Sequence, residues 1–321
     1  MVRVRTLITG AGGFVGPHLC SAIGHAIGPR LELVPTSQAP ERHPALGPLP
    51  GLDITDKCAV AETIARLSPD CVVHLAGIAA PVAASADWRK AWHVHVEGTL
   101  NIAHAILAHA PHCILIFVGS GQVYGHSART GTPLDEDTLL APVDDYGVTK
   151  AAADLALGAL AQRGLRVIRM RPFNHTGPGQ TEDFFIPSVA MQIARIEAGV
   201  QPPVIRVGNL TAERDVLHVA DVAAAYASAI RHAADLAPGT ILNIASGQPV
   251  SMQAVMDRLI GASRVAITVE QDPGRLRASD LPRIVGDASR ARRLLGWQPR
   301  RSLDDALSDV LNACRARIAA V

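Results

Sequence analysis

Short runs of apolar residues alternate with longer helical patterns in the first half of the chain. Between these runs, segments rich in Ala and Leu place apolar residues at i, i+3 and i+4, as in Trp92–Ala108 and Ala151–Ala161. Because strands that alternate with helices form βαβ units, the pattern predicts an α/β fold, a doubly wound parallel sheet with helices on both faces. The predicted strands are Arg5–Thr9, Leu31–Pro35, Cys71–Leu75, Ile114–Gly119 and Arg166–Arg171.

The pattern changes near Phe173. Turn signals crowd together there, the later predicted strands Val204–Val207 and Ile241–Ala245 are interleaved with returning helices, and Glu270–Gly286 is irregular. No linker separates two autonomous units. We therefore predict a nucleotide-binding domain over residues 1–172, with residues 210–246 returning to it. Residues 173–321 mainly form a smaller α/β lobe that binds substrate.

The amino-acid composition limits the class of partner that the protein can bind. Of 321 residues, 48% are hydrophobic, which supplies a sizeable core and excludes general disorder. The formal charge is +1 and aromatic residues make up only 3%. There is thus no basic excess for a nucleic-acid backbone or an anionic membrane, and little material for base stacking. We expect a small-molecule partner, with no nucleic acid and no membrane.

The cysteines and histidines show no metal-ligand spacing. The five cysteines lack a CxxC pair. His93 and His95 resemble a metal-binding pair, but His104, His109 and His112 show no HExxH-like arrangement with an acid, so we expect no metal site. The apolar run at the N-terminus has one strand's length, too short for a signal peptide, and no stretch reaches 18 apolar residues. These features predict a soluble cytoplasmic protein with reduced thiols.

A glycine-rich turn directly follows the first predicted strand and opens a helix. It reads Thr-Gly-Ala-Gly-Gly-Phe-Val-Gly over residues 9–16. Gly10, Gly13 and Gly16 permit a tight turn and let the backbone, with Phe14 and Val15, approach a pyrophosphate at the helix N-terminus. The turn predicts a dinucleotide site of the Rossmann type. An ordinary glycine-rich strand-to-helix turn is the alternative.

The second predicted strand bears on which dinucleotide binds. It ends in Val-Pro-Thr-Ser-Gln, without the carboxylate that would hold the ribose 2′-hydroxyl of NAD(H). Thr36, Ser37 and Arg42 suit a 2′-phosphate better, which favours NADP(H). NAD(H), bound with weaker ribose contacts, is the alternative.

Two further segments are expected to line the cofactor. Asp53, followed by Ile54, stands where a carboxylate can accept from the adenine amine, although capping of a turn explains it nearly as well. The sequence His-Leu-Ala-Gly ends another predicted strand, so Leu75, Ala76 and Gly77 let the chain run against the cofactor.

Tyr146 and Lys150 lie four residues apart at a predicted helix start, and therefore on one face. An ammonium beside a phenol favours the phenolate, which predicts a lowered pKa for Tyr146. A solvated pair on a helix surface is the alternative. Ser120 follows the strand Ile114–Gly119, at the carboxyl edge of the parallel sheet where ligands bind, and can hydrogen-bond a carbonyl oxygen.

The motifs TGAGGFVG, HLAG, SGQVYG and YGVTK occur in this order. Together they resemble the extended short-chain dehydrogenases/reductases that act on nucleotide sugars, and the resemblance covers essentially the whole chain. It implies that Ser120, Tyr146 and Lys150 are catalytic. Tyr146 would exchange a proton with the sugar oxygen while hydride moves at nicotinamide C4; Lys150 would also bind the nicotinamide ribose, and Ser120 would orient the oxygen.

The resemblance extends to the substrate side. The segment Arg171–Gln180 is similar to one whose start, Pro172, packs on nicotinamide and whose asparagine, Asn174, touches the substrate diphosphate. The stretch Val207–Asp215 resembles that of enzymes for GDP-mannose derivatives. It implies substrate contacts from Val207, Asn209 and Arg214. Arg275 and Arg277, in the irregular segment, have the planar guanidinium that suits a diphosphate.

The residues just after Ser120 indicate the reaction. Dehydratases of this type carry an acid at or near the position of Gln122, and epimerase-reductases that form GDP-fucose carry a cysteine there, with a histidine on a later loop. Gln122 supplies neither group, and residues 180–187 contain no histidine. We therefore expect NADPH-dependent reduction at C4 of a GDP-4-keto-6-deoxy-mannose-like sugar, giving GDP-rhamnose or its C4 epimer, with Gln122 beside the substrate. The alternatives are an NAD-dependent nucleotide-sugar 4-epimerase and, less favoured, a non-catalytic dinucleotide-binding protein.

Two positions depart from the resembling enzymes. His95 opens the sequence His-Val-Glu-Gly-Thr where an asparagine is usual, and Ala278 stands where proline is common. His95 could replace the asparagine as a hydrogen-bonding group, or the site is remodelled. In resembling enzymes the helices equivalent to Trp92–Ala108 and Tyr146–Ala161 pair across a dimer axis, which implies a homodimer.

Overall fold

The strands and helices were defined in a computed structural model that describes residues 4–28, 31–272, 274 and 281–320. The strands are β1 (Val4–Thr9), β2 (Leu31–Pro35), β3 (Glu41–His43), β4 (Gly47–Leu49), β5 (Cys71–His74), β6 (Ile114–Val118), β7 (Arg166–Pro172), β8 (Asn174–Thr176), β9 (Val204–Val207), β10 (Glu213–His218), β11 (Thr240–Ile244), β12 (Pro249–Ser251), β13 (Thr268–Gln271) and β14 (Arg283–Ile284). The helices are α1 (Val15–Ile27), α2 (Lys57–Leu67), α3 (Pro81–Ala86), α4 (Trp88–Trp92), α5 (Gly98–His109), α6 (Asp145–Ala161), α7 (Phe185–Glu197), α8 (Val219–Arg231), α9 (Met252–Gly261), α10 (Ser289–Leu295) and α11 (Leu303–Ala319).

Six strands form the central sheet in the order β11-β7-β6-β5-β1-β2, and every neighbouring pair is parallel. A single parallel bridge between Ser37 and Gly51 continues the sheet past β2. From β1 the chain runs outward to β2 and then returns to β5 on the other side. This reversal creates the crevice at the carboxyl ends of β1 and β5 where such folds bind ligands. The predicted α/β fold with a doubly wound parallel sheet is confirmed.

Strand residues alternate between two buried faces. Leu7 and Val72 pack in the core beneath α2, α5 and α6, whereas Ile8 and Val73 pack in the core beneath α1, α8 and α10. Side chains of successive strand residues point to opposite faces, so a strand covered by helices on both sides is apolar throughout. This explains the short continuous apolar runs of the sequence.

The chain after β8 forms a second core. Helices α7, α9 and α11 pack together over β9 and β10, around residues such as Ile193, Ile205 and Leu311. Strand β11 returns to the central sheet beside β7, and α8 packs against α1. The boundary between residues 172 and 173 stays a prediction.

Most predicted elements appear within one or two residues of the expected ends. The largest differences concern two helices. The predicted helix Trp92–Ala108 is interrupted by a π-helical turn at His93–Glu97, and the predicted helix Ala151–Ala161 begins earlier, at Asp145. The hairpin of β3 and β4 had no counterpart in the prediction. No helix in the described part of the chain is long and apolar enough to cross a membrane.

Candidate active site

The glycine turn is shaped by close backbone contacts. Gly10 has φ +70°, and a Cβ there would lie 2.6 Å from Ala76 Cα, so glycine lets the turn approach the end of β5. Helix α1 starts directly after the turn without a side-chain N-cap and without an acidic residue in its first turn. Uncapped N–H groups at a helix start form an anion site. The turn therefore fits the pyrophosphate of a dinucleotide.

The hairpin after β2 brings a residue that no sequence motif predicted next to the glycine turn. The carboxylate of Glu41, at the start of β3, occupies the space where a Cβ of Gly12 would lie, close to Ser37. Arg42 is the next residue on the same strand and is exposed. Because the hairpin was not predicted, nothing in the local pattern pointed to Glu41. An acidic residue some 25 positions beyond Gly16 was the only available signal.

The carboxylate of Asp53 caps the turn before α2. Its Oδ1 accepts hydrogen bonds from the Thr55 N–H at 2.9 Å and the Thr55 hydroxyl at 2.7 Å, and these bonds lower the pKa of Asp53. Its Oδ2 lies 3.5 Å from the amide nitrogen of Gln38. The turn-capping interpretation is therefore confirmed, and the adenine contact stays a prediction. Ile54, beside it, is buried against Gly98.

Ser120, Tyr146 and Lys150 come together at the ends of β5 and β6. Asp144 caps α6 by accepting the Gly147 N–H at 2.7 Å, which sets Tyr146 and Lys150 in the first turns of the helix. The Ser120 side chain interacts with the Tyr146 phenol, and its hydroxyl accepts the Gln122 N–H at 3.1 Å. These contacts hold the phenol and the hydroxyl side by side.

Lys150 is buried and only 7% exposed. Its Nζ donates to the Val118 carbonyl at 3.1 Å, and a Cβ at Gly77 would lie 3.3 Å from Nζ. Burial lowers the pKa of Lys150 to about 8. Gly77 thus leaves the space that lets the end of β5 reach the lysine.

The expected lowering of the Tyr146 pKa is not what the structure shows. Burial raises the pKa of Tyr146, the hydrogen bond from Ser120 opposes this rise, and the Asp144 carboxylate adds to it. Lys150 is not among the causes of this pKa shift, and its ammonium donates to the Val118 carbonyl. Tyr146 is therefore protonated at neutral pH, the form that a proton donor needs.

Two sets of contacts connect the predicted substrate residues to the loop that carries Ser120. Asn174 follows Phe173, whose ring packs against Gly121, so Pro172 and Asn174 are held beside the Ser120 loop. Gln122 is partly buried in the same loop.

In the second set of contacts, Asp215 accepts hydrogen bonds from the N–H groups of Ser246, Gly247 and Gly286. Gly286 in turn packs against Phe173. This links β10 of the second core to the Ser120 loop.

The residues on the β9–β10 side have internal partners. Val207 is buried at the end of β9, Asn209 accepts from the N–H and hydroxyl of Thr211, and Arg214 donates to the Leu281 carbonyl at 2.8 Å. Their substrate roles stay predictions. Arg275, Arg277 and Ala278 lie outside the described residues. Within the described part of the chain, no group of three or more His, Cys, Asp or Glu side chains is arranged to hold a metal ion.

The chain is similar in sequence and in structure to known proteins over most of its length. Residues 6–245 match the family described as "NAD dependent epimerase/dehydratase family". The chain is 33% identical to the GDP-6-deoxy-D-mannose reductase of Pseudomonas aeruginosa over 98% of both chains, and 27% identical to a UDP-glucose 4-epimerase of Neisseria meningitidis serogroup C over 95% of both. The structure of RMD from Pseudomonas aeruginosa complexed with NADPH superposes with a TM-score of 0.85 at 31% identity, covering 98% of this chain and 99% of that one.

Proposed function

Since the chain belongs to the NAD dependent epimerase/dehydratase family, we propose that it is a 4-ketoreductase of nucleotide sugars. It reduces the C4 ketone of a GDP-linked 4-keto-6-deoxy-mannose with NADPH. The observation that carries the proposal is the arrangement of Ser120, Tyr146 and Lys150 at the crevice of the sheet. A reductase named for a GDP-6-deoxy-sugar matches the chain over nearly its full length, which supports the same substrate class.

The protonation states of Tyr146 and Lys150 support a reduction. When NADPH is bound, its nicotinamide supplies the hydride. Ser120 holds the ketone oxygen by a hydrogen bond, and Tyr146, kept protonated by burial, donates its phenolic proton to the alkoxide that forms. Lys150, a buried cation at neutral pH, would donate to the nicotinamide ribose.

Gln122 decides between related reactions. Beside Ser120 it offers an amide, which hydrogen-bonds a sugar hydroxyl but cannot remove a proton from carbon. Elimination of water across C5 and C6 and epimerisation at C3 and C5 both need such a base. Hydride transfer at C4 does not, and this supports simple reduction.

The diphosphate and base are assigned to the second core. Asn174 and Arg214, together with Val207, Asn209, Arg275 and Arg277, are the proposed substrate ligands. Thr36, Ser37 and Arg42 remain the proposed contacts to the adenosine side of NADP(H). Leu75 and Ala76 are proposed to run against the cofactor, and Pro172 to pack on the nicotinamide.

Glu41 supports a second candidate, an NAD-dependent 4-epimerase. A carboxylate beside Gly12 can accept the ribose 2′-hydroxyl of NAD and repels a 2′-phosphate. A UDP-glucose 4-epimerase is also among the relatives. The two candidates differ in cofactor turnover, because an epimerase returns its hydride to the same sugar.

We propose a homodimer in the cytoplasm. Trp88 on α4 is 49% exposed, and Leu155 on α6 is 59% exposed. Val148, also on α6, is a third exposed apolar side chain. An apolar patch on these helices suits a second copy of the chain. All five cysteines are free, which fits a reducing compartment. Sedimentation equilibrium tests the dimer: Trp88→Glu with Leu155→Glu should give a monomer.

The proposed function is tested by mixing the protein, NADPH and the GDP-linked 4-keto sugar while reduced nicotinamide absorbance is followed. We expect stoichiometric loss of NADPH. A protein that purifies with bound NAD, consumes no NADPH and interconverts a nucleotide sugar with its C4 epimer is the epimerase instead. A thermal-shift series with GDP-, UDP-, dTDP- and CDP-sugars in the presence of NADPH tests the base, and GDP should give the largest shift.

A further inference from the structure

Two buried histidines near the site have no part in the proposed reaction. His74 ends β5 and His95 lies in the π-helical turn His93–Glu97, and each is 2% exposed. Burial, together with the charge of Lys150, lowers the pKa of both rings to about 3. Both rings are therefore neutral at neutral pH, so each has one N–H donor and one acceptor nitrogen.

The hydrogen bonds around His74 fix its tautomer. The Thr99 hydroxyl donates to the His95 carbonyl at 2.6 Å, so it can only accept from His74 Nε2, 3.0 Å away. Nε2 then carries the proton, and Nδ1 accepts from the Thr9 hydroxyl at 2.8 Å. Thr9 is the residue immediately before Gly10.

The hydrogen bonds around His95 favour the opposite tautomer. The Ile78 N–H donates to Nε2 at 2.9 Å, which needs a lone pair there, although the Ile78 carbonyl lies 3.1 Å from the same atom. Nδ1 then donates to the Thr149 hydroxyl at 2.8 Å. That hydroxyl donates in turn to the carbonyls of Asp145 and Tyr146, at 2.8 and 3.0 Å.

These bonds form two directed runs that are joined through His95. The first runs from Thr9 through His74 and Thr99 to the carbonyl of His95, and the second from the ring of His95 through Thr149 to the carbonyl of Tyr146. In the π-helical turn the Gly98 N–H bonds to the His93 carbonyl, five residues back. Such wide turns occur frequently at functional sites.

We propose that His95 is a positioning residue for the reductase. As a neutral imidazole it ties the loop after β5 to α6, and thereby fixes Tyr146 and Lys150 relative to the glycine turn. The ring of His95 also packs edge-on against Tyr146, with centroids 5.7 Å apart. The proposal rests on the catalytic roles proposed above for Tyr146 and Lys150.

The tautomers are tested directly by long-range ¹H–¹⁵N correlation spectra of the wild-type protein between pH 5 and 8. The two signals are assigned by their loss in His74→Gln and His95→Asn. We expect both rings to stay neutral over the whole range, with Nε2–H for His74 and Nδ1–H for His95. An Nε2–H tautomer for His95, or its protonation with a midpoint near 6.5, overturns the proposal. This measurement does not depend on any substrate, so it separates failure of the inference from failure of the proposed function.

Two amide variants separate the bonds of His95 kinetically. An asparagine amide reaches about as far as Nδ1 and a glutamine amide about as far as Nε2. His95→Asn should keep the bond to Thr149, hold kcat within about threefold and raise the KM for NADPH. His95→Gln should lose that bond and lower kcat about tenfold.

The matched variant is Thr149→Val, which removes the partner hydroxyl with little change of shape. It should lower kcat as much as His95→Gln, and the double variant should be no slower than either single one. Additive losses, or equal effects of the asparagine and glutamine variants, contradict the positioning role.

Discussion

The two ends of the cofactor crevice are built in different ways. At the nicotinamide end, Ser120, Lys150 and His95 are buried, and each has defined hydrogen-bond partners. At the adenosine end, Glu41 and Arg42 stand on an exposed hairpin. Replacing a buried group that has fixed hydrogen-bond partners costs free energy, whereas replacing an exposed charge costs little. We infer that the nicotinamide end determines the chemistry and the adenosine end tunes the choice of cofactor.

The comparison is tested most severely by Tyr146→Phe. Loss of the proton donor should lower kcat by about 10³-fold, within the range typical of general acids. The control is Tyr226→Phe, since the Tyr226 hydroxyl is buried without a hydrogen-bond partner in the described part of the chain. Steady-state NADPH oxidation measures both variants. A Tyr146→Phe enzyme within tenfold of wild type would remove the phenol from the mechanism.

The second test uses the pH dependence of the rate. Because burial lowers the pKa of Lys150 to about 8, the ammonium is lost as the pH rises through that value. We expect kcat/KM to fall above pH 8, up to about tenfold per unit of pH. In Lys150→Arg the guanidinium stays charged, so the residual activity should show no such decline. A wild-type profile that is flat to pH 10 contradicts the buried-cation role.

The third test concerns stability. The folded-state pKa of His74 and His95 lies near 3, below the value of about 6.5 in the unfolded chain. The unfolded state therefore binds more protons between these values, and the free energy of unfolding decreases as the pH falls from 6.5. For each ring the loss between pH 7 and 5 should be about 2 kcal/mol.

Urea unfolding at pH 7 and pH 5 measures that loss. His95→Asn should show a smaller decrease than wild type, whereas His126→Asn, at an exposed position, should not differ from it. Equal decreases in wild type and His95→Asn would show that the His95 ring is not held neutral by the fold.

The smallest expected effect is at the adenosine end. Replacing Glu41 by glutamine removes the charge beside Gly12. The ratio of kcat/KM for NADPH to that for NADH should rise about tenfold, the effect of roughly 1.4 kcal/mol. Glu62→Gln, an exposed change on α2, is the control. An unchanged ratio for Glu41→Gln would mean that the hairpin takes no part in cofactor choice.

The same contrast explains what could be predicted from the sequence. The sheet, the glycine turn and the catalytic residues carry strong local signals, because apolar runs, glycines and a Tyr–Lys pair keep their meaning in any context. Glu41 and the chain through His74 and His95 depend on contacts between residues distant in sequence. Thr9 and His74 are 65 positions apart, and His95 and Thr149 are 54 apart.

The Tyr146 pKa was mispredicted for a related reason. Spacing along a helix places Lys150 on the same face, but it does not show that the ammonium bonds to the Val118 carbonyl. Burial then becomes the main influence on the phenol. Side-chain direction and burial are properties of the assembled fold.

The central claim is hydride transfer to C4 of a GDP-linked 4-keto sugar. It is tested most directly by running the reaction with NADPH that carries deuterium at the transferred position of nicotinamide C4, followed by proton NMR of the sugar product. We expect one deuterium at sugar C4 for each NADPH oxidised. A product without deuterium at C4, or interconversion of nucleotide sugars with no NADPH oxidised, would contradict it.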